Sequence, residues 1–588
     1  MAFQVSPGIN ITEKDLTTVV PNVSTNIGAF VGTFQWGPIS YRTTITTEND
    51  LVDLFGKPNL ATQEHFWSAA NYLAYANNLV VVGVKAADAR NSVVGDSDVG
   101  TAIKVDNSDH YDSLTFTDQL FVAKYPGVRG SSLKVQAIDS NGWADSTVNA
   151  DFLANFENAP GTSDDAAYAN GWDGVSAKPT IEDEMHILVI DEDGLFAGVA
   201  GEVLERWAYV SKASDAKRID GSSNYVVDVM RNESKYAYVG LVTQFTTNTT
   251  GSEKAAGNPK AGGAFLTFNS ATASESVPGG SLTLGVDGAT VGATELIAGW
   301  DYFNTPETSD VTLLIAGPGG STTDNTVAGT VIGIAKGRKD CIAFVSPPQD
   351  TVVHASGTSS DKADGCVTAK TSMNASNSYG VMDSAWKYQY DRYRDVFFYC
   401  PMNGDIAGLC ARLDFTHDAW WSPAGINRGA IKNIVKLSWE PTKADRDTMY
   451  KACINPLVTQ TGAGVILWGD RTMQPTPTAF DRINVRRLFI VMEKAISNAA
   501  KSMLFEFNDE FTRAQFVNMV EPFLREVQGR RGITDFKVVC DGSNNTGVII
   551  DNNNFVGDIY VKPTRSINYI QLNFIAARTD VNFTEIGG

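Results

Sequence analysis

Apolar residues in the first ninety positions fall into two alternating rhythms. Residues 29–33 form a short unbroken apolar run. Leu51, Leu54 and Phe55 follow Thr47, whose hydroxyl can cap a helix that Gly56 then stops. Phe66, Trp67, Ala70, Leu73 and Ala74 recur at helical spacing across residues 64–77, and residues 79–84 are again an apolar run of strand length. The alternation resumes near residue 294. It predicts helices over 294–303 and 327–336 and after Gly404 and Pro441, with strands at 311–315, 341–345, 396–399 and 464–468. Strands alternating with helices at this pitch imply a parallel or mixed sheet covered on both faces. Residues 23–90 and 291–479 therefore read as one discontinuous α/β domain.

The interval 91–290 has another texture. Short β-prone runs are separated by Gly-, Ser-, Thr- and Asp-rich turns, and a strand at 187–190 runs into the acidic turn Asp191-Glu-Asp-Gly194 as a hairpin would. The expectation is a mostly β surface insertion of one or two subdomains.

From residue 480 the period lengthens. Leu488, Met492, Ile496, Ala499, Met503 and Phe507 predict one amphipathic helix over 484–507. Thr512 to Gln515 matches a capping box for a second helix, in which Pro522 should kink or restart the chain before Gly529 ends it. Strands are expected at 536–540, 548–550, 557–561 and 566–577, making 480–588 an α+β domain. Both chain ends carry orphan strand patterns, Val5, Ile9, Ile11 and Glu13 at the front and Val581, Phe583 and Ile586 at the back. A lone strand must find a sheet edge for its N–H and C=O groups. The pattern leaves both choices open, an edge of its own protomer or of a neighbour.

Composition narrows the function classes. At 588 residues, with 43% hydrophobic and 19% charged residues, the chain is globular and multidomain. Its net charge of −20 argues against nucleic acid or anionic lipid as the main partner. Residues 91–290 hold 28 acids and 13 bases, a net of −15, whereas 480–588 holds 13 of each. The first ten residues lack the basic and apolar stretches of a secretory signal, and no apolar run reaches the ~18 residues of a membrane span. The six cysteines, all beyond residue 340, show no CxxC spacing and read as reduced thiols.

Candidate chemistry is thin. The loop Ala316-Gly-Pro-Gly-Gly-Ser-Thr322 lies where a phosphate loop would lie, but it lacks the Walker lysine and the GxGxxG spacing. Ser384-Ala-Trp-Lys387 matches SxxK without its companion motif. The five histidines form no ligand pair, and a triad around His354 lacks a nucleophile elbow. No catalytic residue, cofactor or metal is expected.

Several stretches in order resemble one family, the contractile tail sheath proteins of long-tailed phages and related injection machines. They are Ser6-Pro-Gly-Ile9, Gly28-Ala-Phe-Val-Gly32, Trp36-Gly-Pro38, Phe121 to Gly127, Ala407-Gly408, Ser422-Pro-Ala-Gly425, Phe505-Glu-Phe-Asn508, Gly529-Arg-Arg-Gly532, Asn544-Asn545 and Ile559 to Pro563. The resemblance implies a structural subunit of the virion tail, made and assembled in the host cytoplasm. It would stack as hexameric rings around a tail tube and contract irreversibly to deliver the genome. The implied partners are further copies, the tube protein, and baseplate and terminator proteins. It also implies that residues 1–22 form a strand arm belonging to the inner domain made by 480–588, which ends in a second arm, and that both arms enter neighbours' sheets. Arg525, Gln528, Arg530 and Arg531 are then expected to face an acidic patch on tube or neighbour; a solvated helix end explains the same residues. The rival readings are a secreted or surface-layer structural protein, suggested by the acidic insertion, and a nucleotide-binding enzyme on the α/β domain.

Overall fold

The computed structural model describes residues 25–571 except 96–100, 145–149, 161–183, 213, 215, 219, 241–253, 256–257, 260–278, 319–324, 354 and 569–570. Two distant stretches of chain build one six-stranded sheet. Its order is Gly380–Met382, Ile342–Val345, Leu313–Ile315, Gly28–Thr33, Leu79–Val84, Arg42–Ile45. All neighbours are parallel except the last, which runs antiparallel to Leu79–Val84. The central strand Gly28–Thr33 is buried from Gly28 to Gly32, because helices cover both faces. This is why it reads as a solid apolar run rather than an alternation.

The expected helix behind Thr47 spans Glu48–Phe55, with a capping box between Thr47 and Asp50 and Gly56 at its end. Helices Gln63–Leu73 and Asn403–Thr416 pack so closely that glycine is required at the crossing. A Cβ on Gly404 would stand 2.3 Å from the Ser68 carbonyl oxygen, and one on Gly408 would stand 2.6 Å from the Tyr75 ring. Under this crossing lies a buried ion pair, with Lys387 Nζ 2.9 Å from Asp405 Oδ1 and Tyr75 donating to the same carboxylate at 3.1 Å. The SxxK residues are thus structural: Lys387 is in that pair, and the Ser384 hydroxyl accepts from the Leu457 N–H at 3.0 Å.

Asp383, at the end of strand Gly380–Met382, accepts from the Ser346 hydroxyl at 2.5 Å, and burial pushes its carboxyl up to about 8. The native state therefore holds a proton that the unfolded chain releases above about pH 4, so stability falls as pH rises from there towards 8. Asp383→Asn is expected to match the parent near pH 4. By pH 8 it should be clearly more stable, gaining up to about 1.4 kcal/mol per pH unit. Thermal unfolding at several pH values measures this, and a pH-independent difference between the two proteins would contradict it.

Residues between the two halves of the sheet form antiparallel sheets of their own. One has four strands, in the order Gly279–Ser281, Leu133–Ile138, Glu184–Asp191, Glu202–Ser211; another joins Val93–Gly95, Gln119–Ala123 and Ala237–Val239. Trp36, from the first flank, is buried in their apolar core 5.3 Å from Tyr125 and 5.0 Å from Phe196. The acidic turn after Asp191 does close a hairpin. Asp191 accepts from the N–H groups of Leu195, Phe196 and Ala197, so its carboxylate organises a turn.

Beyond residue 480 the observed elements depart from expectation in four places. The first helix is Ile483–Ala500, followed by a 3-10 turn, and Phe507 is 83% exposed rather than part of the buried stripe. The second helix runs unbroken over Glu510–Gly529, capped by Asp509 accepting from the Thr512 N–H; Thr512 itself lies inside the helix. Pro522 does not restart it. Pro522 and Asn518 are both exposed, so water can take the Asn518 carbonyl that the missing N–H leaves free. Residues Gly547–Asp551 are a short helix and not a strand. Asn545 explains this by exchanging hydrogen bonds with both backbone groups of Val556, which brackets 546–555 as an excursion between strands Ile533–Val539 and Asp558–Pro563. Most of the strand expected at 566–577 lies outside the described residues, and Ser566 to Asn568 are coil.

Candidate assembly surface

The two strands Ile533–Val539 and Asp558–Pro563 pair antiparallel and, among the described residues, pair with nothing else. Their apolar side packs on helices Ile483–Ala500 and Glu510–Gly529, in a core of Leu488, Met492, Phe516, Val520 and Leu524. A two-stranded ladder of this kind leaves a row of backbone donors and acceptors along each outer edge.

Both chain ends leave from anchored roots beside this unit. At the front, the Thr25 hydroxyl donates to Asp414 Oδ2 at 2.6 Å. The same carboxylate takes a two-pronged contact from Arg487 at 2.8 and 2.9 Å, and Arg487 also donates to the Cys410 carbonyl at 3.0 Å. Burial raises the Asp414 carboxyl, and the Arg487 guanidinium opposes that rise. Helix Asn403–Thr416, helix Ile483–Ala500 and the N-terminal root thus share one buried joint. At the back, Ser566 donates to Asp470 Oδ2 at 2.6 Å, and Asn568 donates to Asp470 Oδ1 at 3.1 Å and to the Tyr450 hydroxyl at 2.7 Å. The strand-arm residues themselves, Val5, Ile9, Ile11, Glu13, Val581, Phe583 and Ile586, lie outside the described residues.

The basic turn is divided in its roles. Gln528 donates to the Thr534 carbonyl at 2.9 Å and so ties the helix end to the strand. Arg530 pairs with Asp418 and lies over the Trp420 ring at 5.5 Å. Arg525 bridges to Glu521 at 3.0 Å on an exposed helical face. Arg531 is exposed, in a left-handed turn with φ 66°, and makes no side-chain hydrogen bond or ion pair among the described residues. Sequence reasoning missed the Arg487–Asp414 and Asp470 joints. The only signal was the presence of charged residues in otherwise apolar helices.

Among the described residues no group of three or more His, Cys, Asp or Glu is arranged to hold a metal ion, and no helix is long and apolar enough to cross a membrane. All six cysteines are buried and unpaired. His354 and part of the glycine-rich loop at 316–322 lie outside the described residues.

Three family models match the chain: the phage tail sheath protein central domain over residues 289–473, the phage tail sheath C-terminal domain over 476–577, and the tail sheath protein Gp18 domain III N-terminal region over 26–84. The tail sheath protein of Vibrio phage KVP40 is 33% identical, with 99% of this chain and 100% of that protein covered. The chain belongs to the contractile tail sheath family. The tail sheath protein of Enterobacteria phage T4 is 34% identical across 99% of both chains. A crystal structure of a sheath tail protein from Listeria innocua matches 92% of this chain with a TM-score of 0.51 at 11% identity, which supports a shared fold alone. As a sheath family member the chain is a structural component of a phage tail, and its mixed α/β architecture is that of a sheath subunit.

Proposed function

We propose that this sheath protein polymerises as stacked hexameric rings around a tail tube. It holds its neighbours by exchanged strands and contracts irreversibly to drive the tube through the host envelope. The observation that carries this is the isolated two-stranded ladder of Ile533–Val539 and Asp558–Pro563, with both edges unpaired among the described residues and both arm roots anchored close by. Residues 1–22 and 572–588 supply the strands that complete such ladders in adjacent copies, by main-chain pairing with alternate side chains buried. Strand exchange suits a contracting lattice: hydrogen-bonded arms hold the copies together while rigid bodies rotate and repack between two packings. The energy is stored at assembly, in a kinetically trapped extended state, and needs no nucleotide.

The tube lies against the charge-balanced residues 480–588, where exposed Arg525 and Arg531 meet acidic groups, while Gln528 and Arg530 hold the turn in shape. The acidic insertion 91–290 faces outward, where like charge keeps particles apart. Baseplate and terminator proteins cap the two ends of the cylinder, and assembly takes place in the host cytoplasm. Electron microscopy of the purified protein tests the reading. Hollow tubes with sixfold symmetry are expected, and a preparation that stays monomeric at high concentration, with or without tube protein, would refute it.

A further inference from the structure

A cleft of about 820 Å³ opens where residues 420–470 meet the first turn of helix Ile483–Ala500. That volume falls in the range of roughly 300–1,000 Å³ found for small-molecule sites. Asn484, in the first turn of the helix, borders the cleft although it is only 5% exposed, and neither end of its amide carries a hydrogen bond among the described residues. A buried amide without a partner is a standing cost that an entering ligand can relieve. The backbone N–H groups of Asn484 and Val485 also lack acceptors among the described residues, whereas the Ile483 N–H is taken by the Asp470 carbonyl at 2.8 Å. Unpaired donors at a helix start, beside an unpaired side-chain amide, make a seat for an anion.

Cations border the same cleft in a chain whose net charge is −20. Lys443 and Arg446 stand one turn apart on helix Lys443–Lys451, on the face that also brings Tyr450 to the cleft, and Arg565 borders it from the C-terminal side. None of the three makes a side-chain hydrogen bond or ion pair among the described residues. Of the acids that line the cleft, Asp470 is 3% exposed and paired with Arg482 at 3.0 Å, so Asp447 is left to oppose them. Trp468 adds a flat apolar wall. It is 44% exposed, and its ring meets no other ring or cation among the described residues.

We infer that this cleft seats a nucleoside polyphosphate. Its phosphates take the N–H groups at the helix start, the Asn484 amide and the charged ends of Lys443 and Arg446. Its base stacks on the Trp468 indole, a contact that every base can make, so the seat selects for phosphates more than for one base over another. Inorganic phosphate fits the donors but leaves the indole bare, and a nucleoside leaves the cations unpaired. The ligand is bound and not consumed, and its seat does not depend on whether the arms are exchanged.

Calorimetric titration of ATP, without divalent cations, into the purified full-length subunit tests this. Micromolar affinity is expected, with adenosine and inorganic phosphate each weaker by at least about tenfold. No binding at millimolar ATP, or inorganic phosphate binding as tightly as ATP, overturns the inference. Asn484→Leu should weaken ATP by about tenfold. Should that variant fail to fold, Lys443→Ala with Arg446→Ala leaves the helix cap at Thr442 and Asp445 untouched and should weaken ATP at least as much. Unchanged ATP affinity in a folded variant of either kind places the ligand elsewhere and overturns the inference. Trp468→Ala should weaken ATP but not inorganic phosphate, and equal losses for both would overturn the stacking role. A single-stranded oligonucleotide that displaces ATP at a lower concentration would make a polymer the occupant and overturn the assignment to a free nucleotide.

Discussion

Arg487→Met is expected to cost about 3–5 kcal/mol of stability at neutral pH, because it strands the Asp414 carboxylate in a buried site without its cation. The Cys410 carbonyl at 3.0 Å and the Asp414 carboxylate lose the guanidinium together, and the Thr25 hydroxyl at 2.6 Å is left on an uncompensated carboxylate. The pH dependence gives the mechanism away. In the variant Asp414 escapes by taking a proton, so its folded-state affinity for protons lies well above that of the unfolded chain. Such a group costs nothing below about pH 4 and progressively more as pH rises, so the deficit should be largest at pH 8 and shrink on acidification. Asp414→Asn makes the converse case. It strands an arginine that does not deprotonate in this range, so its deficit should not shrink with acid. Denaturant midpoints for both variants at pH 5 and pH 8 decide this; parallel losses at both values would mean that the pair acts through shape rather than charge.

Deleting residues 1–22 should abolish tube formation while leaving a folded, soluble subunit. The deletion stops short of Thr25, so the anchor on Asp414 survives. The missing strand would leave the edge of a neighbour's Ile533–Val539 and Asp558–Pro563 ladder unsatisfied at every subunit contact, which is a lattice-wide defect. Light scattering and electron microscopy read assembly, and circular dichroism reads the fold. Normal tubes from the shortened chain would end the strand-exchange proposal, whereas loss of fold would place the arm within its own protomer.

Elements set by nearby residues were legible from the order of amino acids. The helix between Thr47 and Gly56 is one, since its cap and its stop lie within ten residues of each other. The buried strands Gly28–Thr33 and Leu79–Val84 are others, because a strand covered on both faces has no polar alternation to hide it. Misreadings fell where a distant contact overrules local preference. Val548 to Ile550 look like a strand, but Asn545 and Val556 close that stretch into an excursion. Pro522 looks like a kink or a restart, and the helix does not restart there because an exposed face lets water replace the lost bond.

The assembly surface divides in the same way. The orphan strand patterns and the basic turn could be read in the sequence, but the anchors could not. Arg487 meets Asp414 across 73 positions, and Asn568 meets Asp470 across 98. By itself the sequence determined the alternation of strands and helices, the acidic block and the family likeness, all of which are carried by residue type and short-range order. Only the tertiary structure decided which charges are spent internally and which stand unpaired at the surface. That depends on folded geometry, since the attraction between two ions follows their distance and burial in space rather than their separation along the chain.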